Sequence, residues 1–409
     1  MDKSSKSRKY KIKVNSEYYS DEDFIKDCPN YPFIPTILPP VKRIIAIGDI
    51  HGDLELAIKS FKLANLIDDD YNWIAQPPNT VVVQVGDQVD SCRPIPKVYN
   101  CQIKKYDGDK SDDINVMKFF DEMHEKASVY GGAVYSLMGN HELMNSQGEF
   151  KYVSYENYYN FHYEATNGET YDGQTGRKES FMPGGPLARH MACTRNSVII
   201  IGSNMFVHAG VLPVLARRLN FLSIDNNLKI KYLNAIFRKW LLKKLSGEEK
   251  KIALDLINNS SYSPFWTRIY GSIPNNVELE SDECFNSVKK ALEVYNIGHI
   301  VVGHTPQLFT NKDGINGTCY EKNNTNDKKL YRVDGGFSKA FNVFDRQELV
   351  QVLEIIDDNI FNVLTDKTID INIDKLKKPI TNISERYMPN VSSMYAQNRT
   401  PKNKRKSIF

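Results

Sequence analysis

The sequence has no long hydrophobic run. No segment approaches the ~18 uninterrupted apolar residues that a membrane-spanning helix needs, and no apolar run follows the polar start, Met1 to Lys6. We therefore expect neither membrane insertion nor secretion, and no membrane partner. With 409 residues, of which 41% are hydrophobic and 25% charged, the chain can bury a sizeable core in one large domain or two smaller ones.

Cysteine is scarce and scattered. The six cysteines include no Cys-x-x-Cys pair, and the chain is far larger than the small domains that disulfides hold together. This pattern favours a reducing, intracellular compartment, so we expect a cytoplasmic protein. The six are Cys28, Cys92, Cys101, Cys193, Cys284 and Cys319.

The net charge is small, at +3, but unevenly distributed. Residues 1–13 hold six Lys or Arg against one Asp, and residues 375–409 hold nine against one Glu, which leaves residues 14–374 acidic. The motif KNKRK from Lys402 is typical of a nuclear-import patch, so a nuclear location is an alternative to the cytoplasm. For the tails themselves we favour the interpretation as solvated, disordered segments. Since the acidic body has no feature of a nucleic-acid groove, we expect nucleic acid to bind through these tails or not at all.

Three regions follow from the pattern along the chain. Residues 1–40 are polar and then proline-rich, without a sustained helical or strand pattern, so we interpret them as an N-terminal extension. Residues 366–409 form a basic C-terminal tail. Between them, residues 41–365 alternate short apolar runs with helical patterns, which predicts an α/β domain with helical and loop inserts. The apolar runs are RIIAI from Arg43, TVVVQV from Thr80, AVYSLM from Ala133, NMFV from Asn204 and HIVV from His299.

Every predicted strand ends in a loop that carries metal-ligand residue types. These loops read GDIHGD (48–53), GDQVD (86–90), GNHE (139–142), HAG (208–210) and GHT (303–305). In α/β folds, ligands bind outside the carboxyl ends of the strands, and glycine allows the backbone to approach an ion closely. Any one Gly-Asp pair fits an ordinary turn or helix cap, but five such loops in order favour a metal site. The candidate ligands are Asp49, His51, Asp87, Asn140, His208 and His304.

Six ligands are too many for one catalytic ion that keeps a position open for water. Two ions about 3.5–4 Å apart, bridged by one carboxylate and one hydroxide, would use them all. The mixed oxygen and nitrogen set has no thiolate, which suits Mn, Fe or Zn and argues against a closed structural zinc site. We therefore expect two divalent ions as cofactors.

The remaining histidines favour structural roles. His124 lies in a predicted helix, His190 in LARHMA, and His299 begins a buried strand. His162 lies in the tyrosine-rich segment YENYYNFHYE, which has a substrate groove as its alternative interpretation.

With these residues assembled, the chain resembles the calcineurin-like metallophosphoesterases from about Arg43 to about Val352. Within them it is similar to the phosphoprotein phosphatases, and most of all to the Shewanella-like phosphatases: MFVHAGV, IVVGHTP, PFWTRIYG and VDGGFSKAF look like elements of that group. The resemblance implies two stacked mixed β-sheets flanked by helices, in four layers α-β-β-α, with a dinuclear metal centre at one edge. It implies that Asp49 and His51 hold one metal, that Asp87 bridges, and that Asn140, His208 and His304 hold the other.

The resemblance also implies a catalytic pair. His141 matches the general acid, and Asp90 matches the carboxylate that orients it. On physical grounds, phosphate monoester hydrolysis requires a proton for the leaving alkoxide, and a nearby carboxylate favours the protonated histidine and fixes its ring. The alternative is an ordinary salt bridge between loops.

One motif departs from the family pattern. The family reads Gly-Asp-x-x-Asp-Arg-Gly, where the arginine binds the phosphate oxygens in a bidentate contact, but here Ser91 and Cys92 stand at the last two positions. Arg268 in FWTRIY matches the other family arginine that binds phosphate. We hypothesise that Arg93 reaches back and supplies the second such contact; its alternative role is to anchor the loop.

These features predict a phosphomonoesterase that uses a metal-bridging hydroxide and a histidine general acid. A serine/threonine protein phosphatase is the leading interpretation, with phosphotyrosine as a further substrate. The rivals are a hydrolase of diadenosine polyphosphates or phosphodiesters, because the same metal pair serves both reactions, and a non-catalytic phosphate-binding module. Retention of all six ligands together with Asp90 and His141 argues against the module.

Overall fold

Two six-stranded β-sheets lie face to face in the computed structural model, which describes residues 20–95, 97, 99–222, 224–259, 261–311, 314–344 and 348–366. The strands are β1 (Ile37–Leu38), β2 (Arg43–Ile47), β3 (Val81–Gln84), β4 (Ala133–Leu137), β5 (His162–Glu164), β6 (Thr170–Asp172), β7 (Arg195–Asn196), β8 (Val198–Ile201), β9 (Asn204–Val207), β10 (His299–Val302), β11 (Asn316–Glu321), β12 (Asn324–Arg332), β13 (Val350–Ile356) and β14 (Ile360–Asp366). One sheet has the order β1-β8-β9-β10-β12-β11 and the other β14-β13-β2-β3-β4-β7, while β5 and β6 pair separately.

Both sheets are mixed, and their central strands are parallel. In the second sheet β2, β3 and β4 run parallel, whereas β13 is antiparallel to β2. In the first sheet β9, β10 and β12 run parallel, whereas β8 is antiparallel to β9. The loops that follow these parallel strands therefore gather at one edge of the molecule. The five strands predicted from apolar runs are confirmed.

Helices cover the outer faces of both sheets. They are α1 (Asp21–Asp27), α2 (Leu54–Leu63), α3 (Asp113–Ser128), α4 (Asn140–Gln147), α5 (Tyr155–Tyr159), α6 (Gly173–Phe181), α7 (Pro186–Thr194), α8 (Pro213–Arg218), α9 (Asn226–Leu241), α10 (Gly247–Asn258), α11 (Ile269–Ser272), α12 (Asp282–Cys284), α13 (Lys290–Tyr295) and α14 (Gln307–Thr310). None of the helices in the described part of the chain combines the length and apolarity that a bilayer crossing needs.

Alternating residues of the first sheet divide the core into two parts. Ile199, Phe206 and Val301 pack with α2, α3 and the second sheet. Their neighbours in sequence, such as Ile200 and Met205, face the opposite way and pack with α7 and α9. This period of two places one sheet face on the other sheet and one on helices. The expected four-layer α-β-β-α fold is confirmed.

Residues 20–40, which lie within the predicted N-terminal extension, contain a helix and a short strand that the sequence pattern did not indicate. Ser20 caps α1 by accepting a hydrogen bond from the Asp23 N–H at 3.1 Å, and Phe24 is buried in the core. β1 adds a strand to the first sheet beside β8. The domain boundaries remain predictions, and residues 1–19 and 367–409, with the basic tails and KNKRK, lie outside the described residues.

The cysteines also differ from expectation, because all six are paired. Cys28 is bonded to Cys193, Cys92 to Cys101, and Cys284 to Cys319. The partners are 165, 9 and 35 residues apart in sequence, so spacing gave no indication of the pairing. The inference of a reducing compartment therefore loses its basis, since disulfides persist mainly in oxidising surroundings.

Candidate metal centre

The predicted ligand loops meet at one edge of the sandwich, and their backbones are held in an unusual conformation. His51, Asp87, Asp90 and His304 have φ values of 49°, 56°, 75° and 65°. These values lie in the left-handed region, which non-glycine residues rarely adopt and which is concentrated at functional sites. The strands on either side fix these turns, because each loop follows directly after a buried parallel strand.

One group of side chains surrounds His51, and we call it the first cluster: Asp49, His51, Asp87 and His141. The His51 Nε2 atom lies 3.9 Å from both Asp49 Oδ2 and Asp87 Oδ2. Asp87 Oδ2 also lies 3.8 Å from His141 Nε2. Ligand atoms of His51, Asp87 and His141 all fall within 4.8 Å of one another, and the side chains are buried.

A second cluster is formed by Asp87, Asn140, His208 and His304. Asn140 Oδ1 lies 2.9 Å from His208 Nε2 and 2.8 Å from His304 Nδ1, and His208 Nε2 lies 3.3 Å from Asp87 Oδ2. The other ring nitrogen of His208 faces the Val85 carbonyl at 2.9 Å, which fixes the ring. Asp87 belongs to both clusters, so all six predicted ligands come together around one shared carboxylate.

The charge balance of the two clusters fits a cation. Burial, together with Asp334 and Asp87, holds the pKa of Asp49 well above its usual range. Burial also opposes ionisation of Asp87, but His208 and His141 outweigh it and hold that pKa well below its usual range. Burial keeps the pKa of His51 low, which favours the neutral, metal-binding imidazole. Crowded buried carboxylates beside the neutral imidazole of His51 are an environment that a divalent ion stabilises.

Asp334 is a functional candidate that the sequence reasoning missed. It follows β12, next to the tips of β10 and β2, and its Oδ1 accepts a hydrogen bond from the Gly336 N–H at 3.0 Å. Its Oδ2 is buried and accepts no hydrogen bond from the described residues. Burial raises its pKa to about 6. An unpaired buried carboxylate oxygen beside Asp49 also fits a nearby cation, and the signal in the sequence was the VDGG motif, an acid followed by two glycines.

The predicted catalytic pair is also in place. Asp90 Oδ2 lies 2.7 Å from His141 Nδ1, and both side chains are buried. The other oxygen of Asp90 accepts hydrogen bonds from Asn145 and Arg177, neither of which was predicted. His141 Nε2 remains directed towards Asp87 and the clusters.

Glu142, in GNHE, is a further residue that sequence reasoning missed. Its carboxylate accepts hydrogen bonds from the N–H groups of Asp87 at 3.0 Å, Gln88 at 2.7 Å and Gly139 at 2.7 Å. It therefore holds the Asp87 loop against the start of α4. A glutamate three positions after the N-cap residue is one half of the capping-box pattern, and this half was present in the sequence.

The two predicted phosphate-binding arginines lie at the rim. Arg268 is exposed, and its Nη1 donates to the His304 carbonyl at 3.0 Å. Arg93 is half-buried and lies over the rings of Phe341 and Tyr152, at 4.5 and 5.5 Å. Its Nη1 donates to the carbonyls of Asp90 and Cys92, while Nε and Nη2 donate to none of the described residues.

Ser91 does not replace the family arginine. Its side chain is buried, and its Oγ accepts a hydrogen bond from Asn157 Nδ2 at 3.1 Å. It stabilises the loop from beneath and leaves the rim to Arg93. Arg93, two residues further along the chain, is therefore the residue of this loop that can place a guanidinium at the rim.

The other histidines lie outside both clusters. His124 faces the Val134 carbonyl at 2.9 Å. His162 pairs with Asp172, His190 with Asp121 and His299 with Asp327, at 2.7, 2.7 and 3.2 Å. Their structural roles agree with the sequence interpretation.

A two-sheet α-β-β-α sandwich with Asp, Asn and His loops at one edge defines the metallophosphoesterase class. The chain belongs to the calcineurin-like phosphoesterase family, whose sequence profile matches residues 42–308. Membership, together with the His and Asp groups that can hold metals, makes it a metal-dependent phosphatase.

The relatives agree with the predicted subgroup. An uncharacterised protein of Acanthamoeba polyphaga mimivirus is 63% identical over 252 residues, which are 61% of this chain and 99% of that protein. Shewanella-like protein phosphatase 2 of Arabidopsis thaliana is 25% identical over 361 residues, covering 79% of this chain and 78% of that one. A solved cold-active protein-tyrosine phosphatase of a psychrophilic Shewanella species shares the fold, with a TM-score of 0.51 and 20% identity over 86% of each chain.

Proposed function

We propose that the protein is a dinuclear phosphomonoesterase that acts on phosphoproteins or small phosphorylated molecules. The observation that carries this proposal is the position of Asp87, whose Oδ2 lies within 3.9 Å of His51 in one cluster and 3.3 Å of His208 in the other. A carboxylate shared in this way is suited to bridge two divalent ions, either Mn, Fe or Zn. Such a pair would supply an activated water and offset the charge of the phosphoryl oxygens.

The chain's own residues would complete the reaction. Because Nδ1 of His141 is bonded to Asp90, Nε2 is the atom left to hold a proton towards the leaving-group oxygen. Through this bond Asp90 fixes the orientation of the ring. Asp49, His51, Asn140, His208 and His304 would hold the two ions around Asp87.

The phosphate oxygens would be bound by Arg268 and Arg93. Both cationic side chains lie at the rim of the clusters, and the free edge of the Arg93 guanidinium offers Nε and Nη2, which no described residue accepts from. Two parallel N–H donors of this kind match two phosphate oxygens.

For the substrate, phosphoserine and phosphothreonine in proteins are the first candidates, supported by relatives that are named protein phosphatases. Phosphotyrosine is a second candidate, because aromatic rings border the site. Tyr152 lies 4.9 Å from His141 and Phe341 5.6 Å from His51, measured between ring centroids. These rings can pack against an aryl phosphate.

A substrate panel tests the proposal. Protein stripped with EDTA and reloaded with Mn²⁺, Fe²⁺ or Zn²⁺ is assayed on a phosphoserine peptide, a phosphotyrosine peptide, an aryl phosphate and diadenosine tetraphosphate. Phosphate release from the peptides and not from the dinucleotide is expected. The reverse preference would favour the polyphosphate or phosphodiester hydrolase, and phosphate binding without turnover on any substrate would favour a non-catalytic module.

The cellular location can be tested directly. A cytoplasmic location, or a nuclear one through the C-terminal basic motif, is a prediction from sequence, and the three disulfides weigh against it because cytosolic thiols are kept reduced. Nucleic-acid binding by the tails is likewise a proposal. Imaging the tagged full chain, with and without residues 402–406, distinguishes these locations.

A further inference from the structure

Arg177 is a fully buried arginine that the proposed reaction does not yet use. It lies on α6, in the insert between β4 and β7, and its side chain has a relative exposure of 0%. The rings of Phe161 and Phe181 lie 5.5 and 5.1 Å from its guanidinium carbon. Burying a guanidinium is costly unless its charge is paired and its donors are satisfied, so its partners are informative.

The partners of Arg177 surround Asp90. Nη2 donates to Asp90 Oδ1 at 3.2 Å and to Asp113 Oδ2 at 2.7 Å, and Nε donates to Asn145 Oδ1 at 2.8 Å. Asn145 Nδ2 in turn donates to Asp90 Oδ1 at 2.9 Å and to the His141 carbonyl at 2.9 Å. The network thus joins both members of the predicted catalytic pair.

This network divides the two oxygens of Asp90 between different tasks. Oδ1 accepts two hydrogen bonds, from Asn145 and Arg177, so the carboxylate cannot rotate without breaking both. Oδ2 is left to His141 Nδ1 at 2.7 Å. The Asp90 N–H is also bound, since it donates to Asp113 Oδ1 at 3.1 Å. The ion pair of Arg177 and Asp113 therefore holds both the side chain and the backbone of Asp90.

We propose that Arg177 and Asn145 are positioning residues for proton donation by His141. They hold Asp90 so that Nε2 of His141 faces the oxygen of the leaving group. This inference rests on the proposed function, in which His141 supplies that proton. The alternative is that the network merely attaches α6 to α3 and α4.

The two roles differ in how a variant responds to the leaving group. A leaving group of low pKa departs without a proton, whereas an alkoxide needs one. For Asn145→Ala, we expect kcat on a phosphoserine peptide to fall at least about tenfold while kcat on p-nitrophenyl phosphate falls less than about threefold. KM should change little on either substrate. Arg177→Met combined with Asp113→Asn removes the buried charge pair together and should show the same contrast.

Arg238→Met is the matched control. Arg238 also pairs with two acids, Asp23 at 2.8 Å and Asp27 at 3.2 Å, but this pair joins α9 to α1 and belongs to neither cluster. Arg238→Met should lower the free energy of unfolding, while the ratio of kcat on the phosphoserine peptide to kcat on p-nitrophenyl phosphate stays at the wild-type value. Equal losses on both substrates in Asn145→Ala, or no loss on either, would overturn the positioning role.

A second measurement does not depend on turnover. In the zinc-loaded protein, the hydrogen bond to Asp90 should give a low-field proton signal for Nδ1–H of His141, identified by its absence in His141→Asn. The signal should disappear or move to higher field in Asn145→Ala and persist in Arg238→Met. If the wild type releases no phosphate from any ester, the proposed function fails. The proton signal still shows whether Asn145 holds Asp90 against His141. An unchanged signal in Asn145→Ala overturns the positioning role.

Discussion

Asp90 and His141 are joined by a 2.7 Å hydrogen bond between two buried side chains that lie 51 residues apart in sequence. Because this bond occupies Nδ1, it determines which ring nitrogen faces the metal clusters. If His141 is the proton donor, His141→Asn and Asp90→Asn should each lower kcat on a phosphoserine peptide by about 10²–10³. Metal content, measured by mass spectrometry, should stay at the wild-type value. The exposed pair of Asp172 and His162 offers a control, since Asp172→Asn should leave kcat unchanged.

Asp87 is the shared residue of both clusters, so its replacement should affect both ions. Asp87→Asn should abolish turnover with Mn²⁺ and lower the bound metal, while circular dichroism shows an intact fold. The reason is that the amide lacks the negative charge that two neighbouring cations require. An active variant with full metal content would contradict the bridging role.

Arg93 should contribute to substrate binding. Arg93→Ala should lower kcat/KM on a phosphomonoester by about 1.5–3 kcal/mol, or about ten- to a hundredfold, and weaken inhibition by inorganic phosphate to a similar extent. Arg189 is exposed, belongs to neither cluster and donates to the Gly184 carbonyl, so Arg189→Ala serves as the control. Unchanged kinetics in Arg93→Ala would leave the residue with the loop-anchoring role.

The disulfide between Cys92 and Cys101 should also affect substrate binding, because it closes the loop that begins with Arg93. Its removal in Cys92→Ser/Cys101→Ser should raise KM for phosphomonoesters and cost about 2–3 kcal/mol of stability. Cys284→Ser/Cys319→Ser opens a longer loop of 35 residues, so it should cost about 4 kcal/mol. That control should leave KM unchanged. If the two double variants had the same KM, the Cys92–Cys101 disulfide would have no role in substrate binding.

Asp113 should make stability depend on pH. Burial, only partly offset by Arg177, raises its pKa to about 6, whereas the unfolded chain has a value near 3.9. The folded state therefore binds the proton of the Asp113 carboxyl more tightly than the unfolded chain does. This proton stabilises the fold fully below pH 4, and the stabilisation is lost as the pH rises to about 6. The loss amounts to as much as about 3 kcal/mol.

Urea unfolding in EDTA at pH 4.5 and pH 7 measures this effect. Asp113→Asn should lose less stability than wild type between the two values, because its amide does not ionise. Asp112→Asn, which changes the neighbouring residue at the start of α3, should follow the wild type. If the free energy of unfolding falls by the same amount in wild type and in Asp113→Asn, Asp113 is not the source of the pH dependence.

The fold, and the gathering of the candidate ligands at one edge, could largely be predicted from the sequence, because each rests on local patterns. Short apolar runs predicted the central strands, and glycines beside acids and histidines marked the loops at their tips. Arg177 could not be found this way, since it lies in an insert and reaches Asp90 across 87 residues of chain. The disulfides escaped for the same reason, because pairing depends on which distant segments fold together.

β1 is only two residues long, yet its place at the sheet edge has a practical consequence for truncation. It covers β8, whose four residues, Val198–Ile201, are all apolar and buried. A chain that begins at Val41 would leave this edge unpaired and would separate Cys193 from its partner Cys28. An uncovered apolar edge strand is a template for aggregation. Beside it, a lone thiol can cross-link two copies, so shortened chains should accumulate as covalent dimers and insoluble material.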